Sequence, residues 1–332
     1  MKTINVLAGD IGGTKTLLAL FRFDGDGREE IASERFTSAD FDGLDEIVQR
    51  FLSGQGLEQV DAASFGVAGP VVADEARLPN LPWLVRRRDL VESIPCPRVA
   101  LLNDFAAVGY GLSALARDDL VELQPGTPGR DAPIAVIGAG TGLGQGFLLH
   151  DGAHYRVHPS EGGHASFAPQ NELQCRLHGF LAKTYDGHVS VERVVSGQGL
   201  VNIYRFLVES EGRPELTMVR EQMQSEDVAA VISRHAQAQS DPTCDEALGI
   251  FCELYGAEAG NLALKVMATG GVYVAGGIAP RIVERMQDGR FVTAFRSKGR
   301  MRPLLEAIPV DLVNNPLVGL LGSAVYARRL VD

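Results

Sequence analysis

Two glycine-rich turns, about 130 residues apart, carry the residues best suited to hold a phosphate. Asp10-Ile11-Gly12-Gly13-Thr14-Lys15-Thr16 joins the apolar runs 4–8 and 17–23, and Gly138-Ala139-Gly140-Thr141-Gly142-Leu143-Gly144 joins 134–137 to 147–149. Short apolar runs on either side of such a turn predict β-hairpins. Without Cβ atoms the backbone can approach an anion closely, and successive N–H groups with a Thr hydroxyl can cradle its oxygens. Asp10, where strand meets turn, either orients hydrated Mg²⁺ or satisfies its own turn. Neither segment is a Walker A loop, which needs Gly directly before Lys-Ser/Thr, whereas Thr14 precedes Lys15. Gly138–Gly144 does not fit GxGxxG either. Two such turns, each opening a comparable β-rich segment, suggest a duplicated α/β unit that holds one polyphosphate.

The candidate reacting carboxylate is Asp104. It follows Asn103 at the carboxyl end of an apolar run, 99–102, where ligands collect in open α/β sheets. A phosphoryl acceptor hydroxyl needs a base to take its proton, and a positioned Asp suffices. From the local sequence alone, the N-cap of a following helix is the favoured role for Asp104. Glu161-Gly162-Gly163-His164 offers a carboxylate and an imidazole on a pliable backbone, which suits a polyhydroxyl ligand wanting both acceptors and donors. His150, His154, His158 and His164 are near one another in sequence, but their spacing crosses a Pro-containing loop and no Cys pair accompanies them, which disfavours a metal site. Glu192, before Arg193-Val194-Val195, reads locally as a surface charge. Gly276-Gly277 is a plain connection or a place where a purine ring could lie flat on the backbone.

Several elements must position these groups. A helical period runs through Leu44, Ile47, Val48 and Phe51. Residues 62–72 read as a buried strand ending in Gly69-Pro70, and a helix follows Asp104. Arg86-Arg87-Arg88 reads as a solvated loop or a helix start. Leu120–Asp131, rich in Pro and Gly, predicts a boundary. Beyond it, Ser196-Gly197 precedes a helix over 198–208, and residues 209–241 read as polar and exposed. Thr243-Cys244-Asp245-Glu246 matches a capping box before a long helix. Gly271–Ala275 predicts a strand, and 317–330 an amphipathic helix.

Composition sets the bounds. The chain of 332 residues has 45% hydrophobic and 22% charged residues and a net charge of −11, which suits about two domains. The acidic balance argues against a sequence-independent nucleic-acid binder. Cys96, Cys175, Cys244 and Cys252 form no CxxC pair, and free thiols in a reducing compartment are expected. The segment 1–8 is too short for a signal-peptide core, and no apolar stretch approaches the roughly 20 residues of a membrane span. A cytoplasmic protein is therefore expected.

Taken together, the segments resemble the bacterial glucokinase family within the actin-like/hexokinase superfamily. The resemblance is carried by Asp10 to Thr14, Gly66-Val-Ala-Gly-Pro70, Asn103-Asp-Phe105, Gly138 to Gly144, Glu161 to His164, Glu192-Arg-Val-Val-Ser-Gly197, Gly271 to Arg281 and Asn314-Asn-Pro316, in the family's order and over nearly the whole chain. It implies an α/β fold of two domains around a cleft, actin-like and ribonuclease-H-like. The smaller domain would comprise residues 1–114 with 317–332, the larger 115–316. Gly9, Asp10, Ile11, Gly12, Gly13 and Thr14 would bind ATP phosphates with Gly140, Thr141 and Gly142, and Gly276-Gly277 the adenosine. Asn103, Asp104, Glu161, His164 and Glu192 would hold glucose, with Asp104 as general base toward its 6-hydroxyl. Mg²⁺ would arrive with ATP, without a protein cage, and Asp10 would touch it through water. The product, glucose 6-phosphate, opens glycolysis, and the resemblance also implies a homodimer. Lys15 stands where relatives often have Asn, and Ala139 where Pro is common. The related repressor/open-reading-frame/kinase family adds a Cys-rich zinc loop directly after its EGGH-like segment, whereas only Cys175 follows closely here. The alternatives are a kinase of another hexose or amino sugar, a sugar-sensing regulator, and an ATPase that works without sugar. A regulator would carry a helix-turn-helix before the sugar domain.

Overall fold

Eight strands build the first part of the chain: β1 (Ile4–Ile11), β2 (Lys15–Asp24), β3 (Gly27–Thr37), β4 (Ala62–Val67), β5 (Val71–Val72), β6 (Glu75–Arg77), β7 (Leu84–Arg86) and β8 (Val99–Asn103). In this computed structural model, which describes residues 3–25, 27–56, 59–78 and 81–331, the main sheet runs β3-β2-β1-β4-β8, and β5-β6-β7 form a small second sheet. Met1 and Lys2, part of the segment read for a leader, lie outside the described residues. β1 pairs antiparallel with β2 and parallel with β4, which pairs parallel with β8. β4 ends at Val67, short of the expected 72, because Gly69 adopts φ 124° and Pro70 follows. By residue contacts the chain divides into two units, Met1–Arg117 with Asn315–Asp332, and Asp118–Asn314.

The first unit's sheet is buried on both faces, and its period-two alternation sorts side chains into two cores. Leu7, Ile11, Leu18, Leu20, Ala63, Phe65 and Val67 pack with Leu44, Ile47, Val48 and Phe51 of the helix Leu44–Gly54. On the opposite face Val6, Ala8, Ala19, Phe21 and Ala62 pack with Leu320, Leu321, Ala324 and Ala327 of the helix Val318–Arg329. Ser323 of that helix donates to Gly9 O at 3.0 Å and accepts from Gly66 N–H at 3.2 Å. One hydroxyl thus joins β1 to β4 beneath Asp10.

Strands β9 (Leu120–Gln124), β10 (Ile134–Ala139), β11 (Leu143–His150), β12 (Tyr155–Ser160), β13 (Gly271–Ala275) and β14 (Val310–Val313) form the second unit's sheet, in the order β12-β11-β10-β13-β14-β9. Its first five strands repeat the order and directions of the first sheet. The segment expected as a boundary contains β9, an edge strand antiparallel to β14. Residues 209–241, expected to be exposed, contain the helices Thr217–Gln222 and Val228–Gln237, with Val219, Val231, Ile232 and Ala236 fully buried. Their few apolar residues fall at helical spacing, which overall polarity conceals. The long helix starts one step before the expected capping box. Its N-cap is Asp241, accepting from Cys244 N–H at 2.7 Å, with Pro242 first in the helix Pro242–Val266. Proline's fixed φ and missing N–H suit that position. No helix among the described residues is long and apolar enough to cross a membrane.

Candidate functional site

In the first unit the polar residues gather at the carboxyl ends of β1 and β8. Asn103 ends β8 and caps the helix Asp104–Gly111, its Oδ1 accepting from Phe105 N–H at 3.0 Å and Ala106 N–H at 3.2 Å. The cap role open to Asp104 in the sequence is thus filled by its neighbour. The Asn103 Nδ2 donates to Gly69 O and to Asp104 Oδ1, both at 3.0 Å. All four hydrogen-bonding positions of this amide are engaged. Asp104 Oδ1 also accepts from Phe105 N–H at 2.8 Å. The bonds that Phe105 and Asn103 make to the Asp104 carboxylate therefore fall on one oxygen. Solvent reaches Asp104, yet burial by surrounding protein raises its pKa, outweighing the bonds from Phe105, Asn103 and its own backbone that lower it. Asp10 is pushed up to about 6, first by burial and then by the charge of Asp104. This is a region short of positive charge.

The turn after Asp10 is anchored from one side. Ser38 donates its hydroxyl to Gly12 O at 3.0 Å and its N–H to Thr14 O at 3.0 Å. Thr16 Oγ1 completes this buried pair 3.1 Å from Ser38 Oγ. The carbonyls are thereby held, and among the described residues the N–H groups of Gly13 and Thr14 have no acceptor in the protein. Gly9 and Ile11 sit differently. Both are buried within β1, where Gly9 O accepts from Ser323 and Ile11 O from Ala68 N–H. They support the loop from inside the sheet rather than presenting groups outward.

The second unit brings together Glu161, His164 and Glu192. His164 Nε2 lies 3.8 Å from Glu161 Oε2, and Nδ1 lies 4.0 Å from Glu192 Oε1. Their side chains are 87% exposed for Glu161, 63% for His164 and 23% for Glu192. The turn from β10 to β11 lies against the same group, because Leu143 N–H donates to Glu192 Oε2 at 2.9 Å. Here too two successive N–H groups, of Thr141 and Gly142, have no acceptor among the described residues. Gly276-Gly277 follows β13, the parallel neighbour of β10. Gly276 has φ 83°, and a Cβ there would collide with the Ala139 backbone, so only glycine fits. A Cβ at Gly140 or Gly277 would meet nothing within 4 Å, which leaves open space over both loops.

The family model described as glucokinase matches residues 7–330. The chain belongs to the glucokinase family. It is 48% identical to a protein named glucokinase from Nostoc punctiforme, over 98% of this chain and 99% of that one. A crystal structure of glucokinase from an Antarctic psychrotroph matches with a TM-score of 0.88 at 33% identity, covering 98% of this chain and 99% of the other. A ROK family glucokinase from Streptomyces griseus, solved with glucose and AMPPNP, shares the fold with a TM-score of 0.63 at 20% identity, over 98% and 99% of the chains. The repeated mixed sheets are those of the actin-like ATPase fold to which these sugar kinases belong.

Four residues of this glucokinase-family chain, with no role of their own legible in the sequence, organise its loops. Ser38, Leu143 and Ser323 act as described above. The fourth, Tyr255, is fully buried; its Oη accepts from Ala139 N–H at 2.9 Å and donates to Ala275 O at 3.3 Å. It ties the ends of β10 and β13 together under the two glycine loops. Position in a long apolar helix gave no sign of this. A cavity of about 380 Å³ borders His164 and is lined also by Tyr185, His188 and Arg193. A larger one of about 820 Å³, between Glu253 and Arg290, contains none of the candidate residues. Among the described residues no three His, Cys, Asp or Glu side chains are grouped to hold a metal ion.

Proposed function

We propose that this chain transfers the terminal phosphoryl group of ATP to the 6-hydroxyl of D-glucose, yielding glucose 6-phosphate and ADP. The observation that carries the mechanism is the Asp104 carboxylate, whose Oδ1 is fixed by Phe105 N–H and Asn103 Nδ2 while Oδ2 remains for a substrate. Oδ2 takes the proton of the 6-hydroxyl as the new O–P bond forms, and the bond to the ADP oxygen breaks. Asn103 serves by holding Asp104. A sugar contact from Asn103 would require it to release one of its four bonds. Glu161 and Glu192 accept from sugar hydroxyls, and His164 donates or accepts according to its tautomer.

The free N–H groups of Gly13 and Thr14, and of Thr141 and Gly142, take phosphate oxygens, and the open space over Gly277 suits the adenosine. Phosphoryl transfer spreads negative charge over equatorial oxygens, and such donors stabilise it without reorganising. ATP brings Mg²⁺, which neutralises phosphate charge. The fit is supported by Asp10, whose carboxyl is raised to about 6 and would be relieved by a cation, through water. The same reading extends to a cytoplasmic homodimer feeding glycolysis, without nucleic-acid partners. The four free cysteines suit a reducing compartment, and the dimer rests on family resemblance, to be checked by sedimentation equilibrium.

Purified protein with Mg-ATP and a panel of sugars, followed by coupled ADP release, tests the reaction. Glucose should be turned over well above other hexoses and amino sugars, and little ADP should form without sugar. Preference for a different sugar would transfer the reading to another kinase of this fold. ADP release that ignores every sugar would end it.

A further inference from the structure

Leu143 opens β11, directly after the Gly140–Gly142 turn. Its N–H is held by a side chain from elsewhere, Glu192 Oε2 at 2.9 Å. A Cβ at Gly142 would stand 2.6 Å from that same oxygen, so the carboxylate fills the volume a side chain would take. At the other end of the turn Gly197 N–H donates to Gly140 O at 2.9 Å. Ser196 Oγ donates back to Glu192 O at 2.7 Å, which makes residues 192–197 one short brace. The brace holds both ends of the turn, one by main chain and one by the carboxylate. The other carboxylate oxygen, Oε1, lies beside His164 at 4.0 Å.

We infer that Glu192 couples the two substrates inside this unit: a sugar hydroxyl donating to its carboxylate fixes the side chain that holds the Thr141–Gly142 N–H groups in place for phosphate. Glu192 is thus a positioning residue for the nucleotide as well as a ligand of the sugar. Free of sugar, the partly exposed carboxylate has conformational freedom, and the turn shares it. Glucose removes that freedom, so a nucleotide arriving second loses less entropy on binding. Linkage requires the reverse as well, with nucleotide tightening glucose by the same factor. This rests on the kinase reading above but needs no movement of one unit against the other.

Calorimetry with Mg-AMPPNP, with and without glucose at ten or more times each protein's own glucose Kd, measures the coupling factor. The parent protein should bind AMPPNP about tenfold more tightly with glucose. Glu192→Gln should keep part of that gain, since its amide oxygen still accepts from Leu143 N–H. In Glu192→Ala the factor should fall to about one. Should Glu192→Ala bind no glucose, Gly142→Ala decides: it keeps the Glu192 carboxylate as an acceptor for the sugar, yet its Cβ displaces Oε2 from the Leu143 N–H, and its factor should fall likewise. A parent that binds both ligands without any gain, or a Gly142→Ala factor within twofold of a parent that shows one, overturns the inference while leaving the kinase reading intact. A parent that binds neither glucose nor AMPPNP overturns both.

Discussion

In one unit the turn between β1 and β2 hangs from a serine; in the other the turn between β10 and β11 hangs from a carboxylate. Both sit on sheets of the same strand order, and both leave two consecutive N–H groups without an acceptor among the described residues. Ser38 is buried and neutral, and among the described residues its hydroxyl bonds only to the turn and Thr16. Glu192 is charged, partly exposed and within 4.0 Å of His164. A repeated scaffold has therefore kept a backbone cradle while changing what braces it. The first brace is enclosed by protein, whereas the second lies partly open to solvent.

The contrast is sharpest in the proposed base. Asp104→Ala should lower kcat by about 10²–10⁴, the usual worth of a general base, with AMPPNP affinity held within a few-fold in calorimetry. Equal turnover in variant and parent would remove Asp104 from the chemistry. Glu161→Ala should act on binding instead, weakening glucose affinity about 10–100-fold, as for loss of a hydrogen bond to a charged group. Unchanged affinity would take Glu161 out of the site.

Ser38→Ala tests the neutral brace. Losing a buried hydroxyl and leaving Thr16 Oγ1 without its partner should cost about 1–3 kcal/mol of stability and raise the KM for ATP several-fold. Glucose Kd should not move, and a parallel loss of glucose affinity would show that this turn is not independent of sugar. The last test concerns Asp10. Its folded pKa, about 6, lies above the ordinary 3.8, so the folded state binds the proton more tightly. The group's stabilising contribution is complete below pH 4 and lost as pH rises through about 6. Asp10→Asn should therefore stabilise the ligand-free protein at pH 8 by on the order of 3 kcal/mol, several degrees in Tm, with no gain at pH 4, while activity falls. A Tm difference that does not vary with pH would mean that the Asp10 charge is not the cause.

Much of this architecture is legible in the residues. Both hairpins announce themselves because glycine clusters and short apolar runs are local signals. The strand at Gly271–Ala275 and the helix beginning near Gly197 follow from equally local punctuation. Long-range placement is harder to see. Nothing around Ser38 marks it, since its role arises only when β3 pairs with β2 and ends beside the turn. Leu143 contributes a backbone N–H, which every residue but proline possesses. Asp104 and Asn103 exchange the cap role through one residue of register, a distinction that composition cannot make. The helix Val228–Gln237 hides because its buried stripe is narrow among polar neighbours.

The face of β1, β2 and β4 that receives the helix Val318–Arg329 has a consequence for biosynthesis. Phe21, Val6 and their neighbours leave the ribosome early, whereas their cover follows only after all of Asp118–Asn314 has been translated. Throughout that interval an apolar surface stays uncovered on the nascent polypeptide. Chaperone capture during elongation, or clumping of chains cut short before residue 318, is the hazard this discontinuous layout creates.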